Sequence, residues 1–139
     1  MGDGWGMRFG ARAYSLDDVE FLARAGFEFA EIEWKDPRFL RAQLAELAGL
    51  RDQHGITYLA HGPNERNPFD VDEIAEVMGP SVCRLLDLAP ELGIALYTQH
   101  LWLDPRFVGT ETIARKLDVL ETWVERAACA DVAPSEWPS

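Results

Sequence analysis

Two histidines follow short apolar segments of the chain, and imidazole is a side chain that can bind a metal ion. Residues 56–60 lead into His61, and residues 94–98 lead through Gln99 to His100. Imidazole nitrogens bind Zn²⁺, Mn²⁺ or Co²⁺, although a stable site needs three or four ligands. The equivalent positions of the two histidines predict a shared site for a ligand or a metal. The alternative for each is a hydrogen-bonded residue at the rim of the fold.

Two glutamates and two tryptophans could complete such a site. Glu31 and Glu33 alternate along an apolar segment, so both side chains lie on the same face of a strand. Either could bind a metal or a sugar hydroxyl, and the rings of Trp34 and Trp102 could stack on a sugar. The alternatives are solvated carboxylates for the glutamates and rim packing for the tryptophans. The remaining histidine, His54, lies at a predicted helix end and is interpreted as a partner of that helix terminus.

The elements that must position these residues follow a repeating pattern. The stretches ARAGFEFAEIE, RDQHGITYLAH and APELGIALYTQH each contain a helix end, a glycine, a short apolar strand and a polar end. Gly26, Gly55 and Gly93 lie where the residue after a helix often adopts a left-handed conformation. Residues 7–14 supply the first strand, and apolar residues recur at helical spacing between the strands.

The order of these elements predicts an α/β fold of four parallel βα units. Alternating strands and helices form parallel sheets that are joined by right-handed crossovers. Ligands of such folds bind where the strands end, so the polar strand ends should converge at one edge of the sheet. Ser15 and Asp70 should cap two helices. The pair Gly79-Pro80 should kink or divide the helix between the third and fourth strands.

Length and composition indicate one domain, because the chain has 139 residues of which 47% are hydrophobic. We expect a flexible N-terminus at residues 1–6, the folded domain at residues 7–130 and an irregular tail at residues 131–139. Pro134 and Pro138 stand where a fifth strand should begin, and proline is poorly accommodated in a central strand. The tail is therefore a predicted truncation point, which would leave two open strand edges in the sheet.

The net charge of −11 argues against nucleic-acid binding, because so acidic a surface repels phosphate backbones. No apolar stretch is long enough to span a membrane, and the N-terminus lacks the pattern of a signal peptide. The two cysteines have no metal-binding spacing and are interpreted as buried small hydrophobic residues in a reducing cytoplasm. The sequence also contains no GxGxxG, GxxxxGK[ST], GxSxG or HExxH motif.

Four stretches together resemble the first half of the xylose isomerase-like TIM-barrel superfamily. They are GFEFAEIE, LAHGPNERNPFD, APELGIALYTQH and LWLDPRF, and the resemblance covers about residues 7–128. The superfamily includes the sugar phosphate isomerases and epimerases, the inosose dehydratases and the endonuclease IV branch. Its members place histidines after strands three and four, at positions that match His61 and His100. The motifs are short, and their order and spacing carry the resemblance.

The resemblance implies half of a (β/α)8 TIM barrel with half of an active site. The implied activity is divalent-metal-dependent aldose–ketose isomerisation or epimerisation of a sugar or sugar phosphate, with Mn, Mg, Co or Zn as the metal. His61 and His100 would bind the metal or position the sugar, and Glu31, Glu33, Trp34 and Trp102 would line the substrate pocket. In the family, most metal-binding carboxylates and both acid–base glutamates come from strands five to eight, so the catalytic residues lie outside this sequence.

Two other functions remain open at this stage. One is a zinc phosphodiesterase like endonuclease IV, which the acidic charge disfavours. The other is a non-catalytic half barrel that self-associates through its open edges. The expected partners are accordingly a small sugar and either a second copy of the chain or a missing C-terminal half, with neither nucleic acid nor a membrane.

Overall fold

The computed structural model describes residues 7–130, so the expectations for residues 1–6 and 131–139 lie outside the described residues. Four strands alternate with helices along the chain. The elements in chain order are β1 (Gly10–Ala13), α1 (Leu16–Arg24), β2 (Phe29–Ile32), α2 (Pro37–Ala42), α3 (Leu44–His54), β3 (Thr57–His61), α4 (Val71–Glu73), a π-helical turn (Ile74–Met78), α5 (Gly79–Leu92), β4 (Tyr97–Thr98) and α6 (Thr110–Ala130). None of the described helices is long and apolar enough to cross a membrane.

All four strands form one parallel sheet in the order β1-β2-β3-β4. This confirms the predicted α/β class with alternating strands and helices. In the described residues β1 pairs only with β2, and β4 pairs only with β3. Both outer strands are shorter than the sequence predicted, since β1 covers four residues and β4 only two.

Helix boundaries follow the predicted capping signals. The Ser15 hydroxyl accepts the N–H of Asp18 at 3.2 Å, and the Asp70 carboxylate accepts the N–H of Glu73 at 3.0 Å. The three glycines that end helices have φ angles of 87°, 75° and 70°, which confirms the predicted left-handed conformation. The helical segment predicted between the second and third strands forms two helices, α2 and α3, because Gln43 between them has φ −109° and ψ 11°.

The break at Gly79-Pro80 takes the form of a π-helical turn. Proline has no N–H to donate to the preceding turn, so the regular helical ladder cannot pass through this position. The five residues just before Gly79 adopt the wider π-helical hydrogen bonding, and α5 begins at Gly79 itself. The regular α-helix is therefore interrupted next to the predicted position, and it resumes at Gly79 as α5.

The two faces of the sheet carry different side chains. Ala13, Ala30, Ile32 and Tyr58 belong to the main core cluster, which also contains residues of α1, α2, α3 and α5, and they define the helix-covered face. Alternation sends the intervening residues to the other side. These residues, which are half-buried or exposed, define the open face: Arg12, Phe29, Glu31, Leu59 and Leu96. A second core cluster lies between the π-helical turn, α5 and α6.

Candidate functional site

His61, the last residue of β3, is the most buried polar side chain at the carboxyl edge of the sheet, with only 2% of its surface exposed. Its Nδ1 lies 2.9 Å from Oε1 of Glu33, which follows the end of the neighbouring strand β2. The direction of the ring N–H does not satisfy hydrogen-bond geometry, so this is a close polar contact rather than a hydrogen bond. The other ring nitrogen, Nε2, is buried and has no hydrogen-bond partner in residues 7–130.

Arg12 connects the two glutamates of the site. Its Nε donates to Oε1 of Glu31 at 3.0 Å, and its Nη1 lies 3.1 Å from Oε1 of Glu33. The side chain of Tyr14 and then that of Glu31 raise the pKa of Arg12, so the guanidinium stays charged. The result is a continuous polar row along the open face from Glu31 through Arg12 and Glu33 to His61. Sequence analysis missed Arg12, because its role depends on the register between β1 and β2.

His100 completes the pair of histidines that the sequence predicted. Its ring centroid lies 4.8 Å from that of His61, with the two ring planes tilted by 44°. His61 belongs to a paired strand, whereas His100 follows the two-residue strand β4 and is exposed. The structure therefore brings the two predicted metal ligands together, one buried and one at the surface.

The segment after β4 is held against the segment after β3 on both sides of His100. On one side, Nε2 of Gln99 donates to the carbonyl of Pro63 at 2.7 Å, and the N–H of Gly62 donates to the carbonyl of Thr98 at 2.8 Å. A Cβ at Gly62 would overlap the ends of the Gln99 and Tyr97 side chains, so a larger residue there would force one of them to move. Burial raises the pKa of Tyr97, and its hydroxyl donates to Oε1 of Gln99 at 2.9 Å.

A buried ion pair holds the other side of His100. Nζ of Lys116 on α6 lies 2.6 Å from Oε2 of Glu65, and their side chains are 0% and 2% exposed. The backbone of Trp102 bonds to both partners: its N–H donates to Oε1 of Glu65 at 2.7 Å, and its carbonyl accepts from Lys116 at 3.0 Å. Sequence analysis missed this pair. The available signal was a lysine at helical spacing between Ile113 and Leu120, on the apolar face of its helix.

The two predicted tryptophans occupy different environments. Trp34 is buried in the main core cluster, and its indole N–H donates to Oε1 of Gln43 at 2.9 Å. This burial leaves little of the Trp34 ring for a ligand. Trp102 is 55% exposed, and its ring centroid lies 4.8 Å from that of Phe107. Of the two rings, Trp102 is therefore the one that a ligand could reach.

The donor set fits a metal only in part. No group of three or more His, Cys, Asp or Glu side chains in the described part of the chain is arranged to hold a metal ion. The unpartnered Nε2 of His61 and the nearby ring of His100 are suitable nitrogen donors. Glu33 contacts the opposite nitrogen of His61, as carboxylates commonly do behind histidine ligands. The two rings therefore lack a third His, Cys, Asp or Glu ligand beside them within residues 7–130.

An open concavity of about 440 Å³ lies on the open face beside this polar row. Its lining residues include Arg12, Glu31, Tyr14 and Phe29. A charged pair, a phenol and an aromatic ring are groups that can hydrogen-bond and stack on a small polyhydroxylated molecule.

No family model, curated protein or solved structure matches this chain.

Proposed function

We propose that the chain is the sugar-binding N-terminal half of a metal-dependent sugar or sugar phosphate isomerase or epimerase of the xylose isomerase-like superfamily. The observation that carries the proposal is the buried His61, whose Nδ1 lies 2.9 Å from the Glu33 carboxylate and whose two ring nitrogens have no hydrogen-bond partner within residues 7–130. An unpartnered buried polar atom is costly, so a ligand that met it would bind favourably.

The half-barrel part of the proposal rests on the order of the strands. Four consecutive parallel strands with intervening helices are what the first four units of a (β/α)8 barrel would provide. The polar row and both histidines lie at the carboxyl ends of those strands, where enzymes with this barrel bind substrates. The resemblance of the strand-end motifs to the superfamily supports the same assignment.

In this proposal Nε2 of His61 and the ring of His100 would bind a divalent metal, and Glu33 would orient His61 through Nδ1. A bound divalent metal would polarise the carbonyl and hydroxyl oxygens of the sugar. Arg12 and Glu31 would bind hydroxyl groups, and the exposed ring of Trp102 would cover one side of the pocket. The glutamates that move protons would come from the complementary four units.

The alternative of a self-associating half barrel has one specific supporting observation. β1 and β4 each lack a second neighbour in the described residues, so a second copy could in principle pair with both edges. Light scattering distinguishes this alternative from the main proposal, because the alternative requires a dimer of the isolated chain. The phosphodiesterase alternative has no such support, and the net charge of −11 disfavours it.

Calorimetric titration of a panel of aldoses, ketoses and their phosphates, with Zn²⁺ present, tests the proposal. We expect one class of sugar to bind, and His61→Asn to weaken that binding by about tenfold or more. His54→Asn is the matched control, because His54 ends α3 and lies in a different part of the fold. Equal losses in the two variants, or no binding by any sugar, would contradict the proposal.

The proposal also predicts that the isolated chain binds sugar without isomerising it. Isomerase activity from a pure monomer would show that the proton-transferring residues lie in this chain, and would overturn their assignment to a second half.

A further inference from the structure

We infer that Glu65 and Lys116 are positioning residues of the site, because their buried ion pair sets the place of the segment that carries His100 and Trp102. The inference goes beyond the ligands themselves, and its consequence for binding rests on the proposed function.

The first step is the burial of the pair. Both charges are almost completely removed from water, and their closest atoms are 2.6 Å apart. Removing two charges from water has a desolvation cost that offsets a large part of the free energy gained from their attraction. A buried ion pair therefore often stabilises a fold no better than two apolar residues would. Lys116 also occupies a position on the apolar face of α6 where an apolar residue would fit the pattern. The pair is therefore better explained by the geometry it imposes than by stability.

The second step is where that geometry acts. Trp102 belongs to a segment without regular secondary structure between β4 and α6. Its N–H donates to Glu65 and its carbonyl accepts from Lys116, so the ion pair binds both the backbone N–H and the backbone carbonyl of Trp102. Glu65 lies on the segment after β3, and Lys116 lies on α6. The pair thus joins three parts of the chain at a single backbone position.

The third step concerns His100, which lies two residues before Trp102. Gln99 is anchored to the carbonyl of Pro63 and Trp102 to Glu65, so His100 is held between two anchors on the segment after β3. His61 has its position set by the strand β3, whereas the position of His100 depends on these anchors. The separation of 4.8 Å between the two rings therefore depends on the ion pair.

The test is the double variant Glu65→Gln/Lys116→Met. It removes both charges, keeps similar side-chain volumes and retains an oxygen that can accept the N–H of Trp102. The matched control is Asp72→Asn/Arg115→Met, which removes the exposed ion pair next to Lys116, between α6 and the first turn of α4. Both variants lose one salt bridge to α6, and only the first one touches the segment of His100.

Three measurements compare the variants with the native chain. We expect the nuclear Overhauser contact between the rings of His61 and His100 to weaken in the double variant and to persist in the control. The amide of Trp102 should exchange with solvent about tenfold faster in the double variant, because Lys116 no longer holds the side chain at position 65 or the Trp102 carbonyl in place. The dissociation constant for Co²⁺ should rise by about tenfold or more in the double variant alone, as happens when residues that support metal ligands are lost.

The outcomes separate this inference from the proposed function. An unchanged ring contact and unchanged Trp102 exchange in a folded double variant would overturn the positioning role. Failure of the native chain to bind Co²⁺ would count against the proposed metal site, and the ring contact and the exchange rate would still decide the inference. If the double variant does not fold, the native chain decides: its Trp102 amide must be protected from exchange, and a freely exchanging amide would overturn the inference.

Discussion

The helix-covered face and the open face belong to the same four strands and have opposite character. The first carries small and apolar side chains that are excluded from water, and its core cluster includes residues of four helices. The second carries an arginine, two glutamates and a histidine that contact one another in a row. Parallel sheets usually have both faces covered and apolar, whereas the open face combines these charged side chains with the apolar side chains of Phe29, Leu59 and Leu96.

The boundary between the two faces runs along each strand. Residues that alternate along one strand lie in different environments, as Ile32 of the core and Glu31 of the polar row illustrate. Substitutions on the helix-covered face should change the free energy of unfolding. Substitutions on the open face should mainly change ligand binding.

The largest expected effect is on the helix-covered face. Ile32→Ala should lower the free energy of unfolding by about 2–5 kcal/mol, because the side chain is fully buried and leaves a cavity. Leu96→Ala, on the open face, should change it by about 0.5 kcal/mol or less, because that side chain is 55% exposed. Urea denaturation followed by circular dichroism measures both. Equal losses would mean that the open face is covered in solution.

The next largest expected effect is the change in stability when two glycines are replaced by alanine. Gly62→Ala should destabilise the fold by about 1–3 kcal/mol, because the new methyl group would overlap the side chains of Gln99 and Tyr97. Gly49→Ala in α3 should instead stabilise it by about 0.5–1 kcal/mol, since nothing lies near that position and alanine favours a helix. Thermal unfolding of the two variants should therefore shift in opposite directions. A neutral Gly62→Ala would contradict the close approach of the two segments beside His100.

The fold was predictable where local signals agree, and the site was predictable only in part. The strand–helix alternation, the helix-ending glycines and the caps at Ser15 and Asp70 can be inferred from neighbouring residues in the sequence. The convergence of His61 and His100 followed from their equivalent positions in two repeats. The roles of Arg12 and Glu65 could not be inferred in this way. Each residue contacts a partner that is distant in sequence, and hydrophobic periodicity does not determine how the elements that carry the two partners are aligned.

The smallest expected effect is on the pKa of Asp36, a carboxylate that lies outside the polar row. Arg38 lowers the pKa of Asp36 to about 2 through their hydrogen-bonded ion pair. Because the ordinary pKa of aspartate is about 3.9, this pair contributes stability above about pH 4, and the contribution is lost as the pH falls toward 2. A carboxyl titration by NMR should give the lowered value in the native chain and a value nearer to the ordinary one in Arg38→Met. An unchanged titration in that variant would contradict the assigned cause.

The most direct test of the central claim is an NMR titration of the three imidazole rings with Zn²⁺. The account predicts that the Nε2 resonance of His61 shifts on binding, that the ring of His100 shifts with it, and that the ring of His54 does not change. It also predicts that the metal binds Nε2 and not Nδ1 of His61, since the Glu33 carboxylate lies 2.9 Å from Nδ1. Equal shifts of all three rings would indicate nonspecific binding, and no shift at His61 would contradict a ligand site at the carboxyl edge of the sheet.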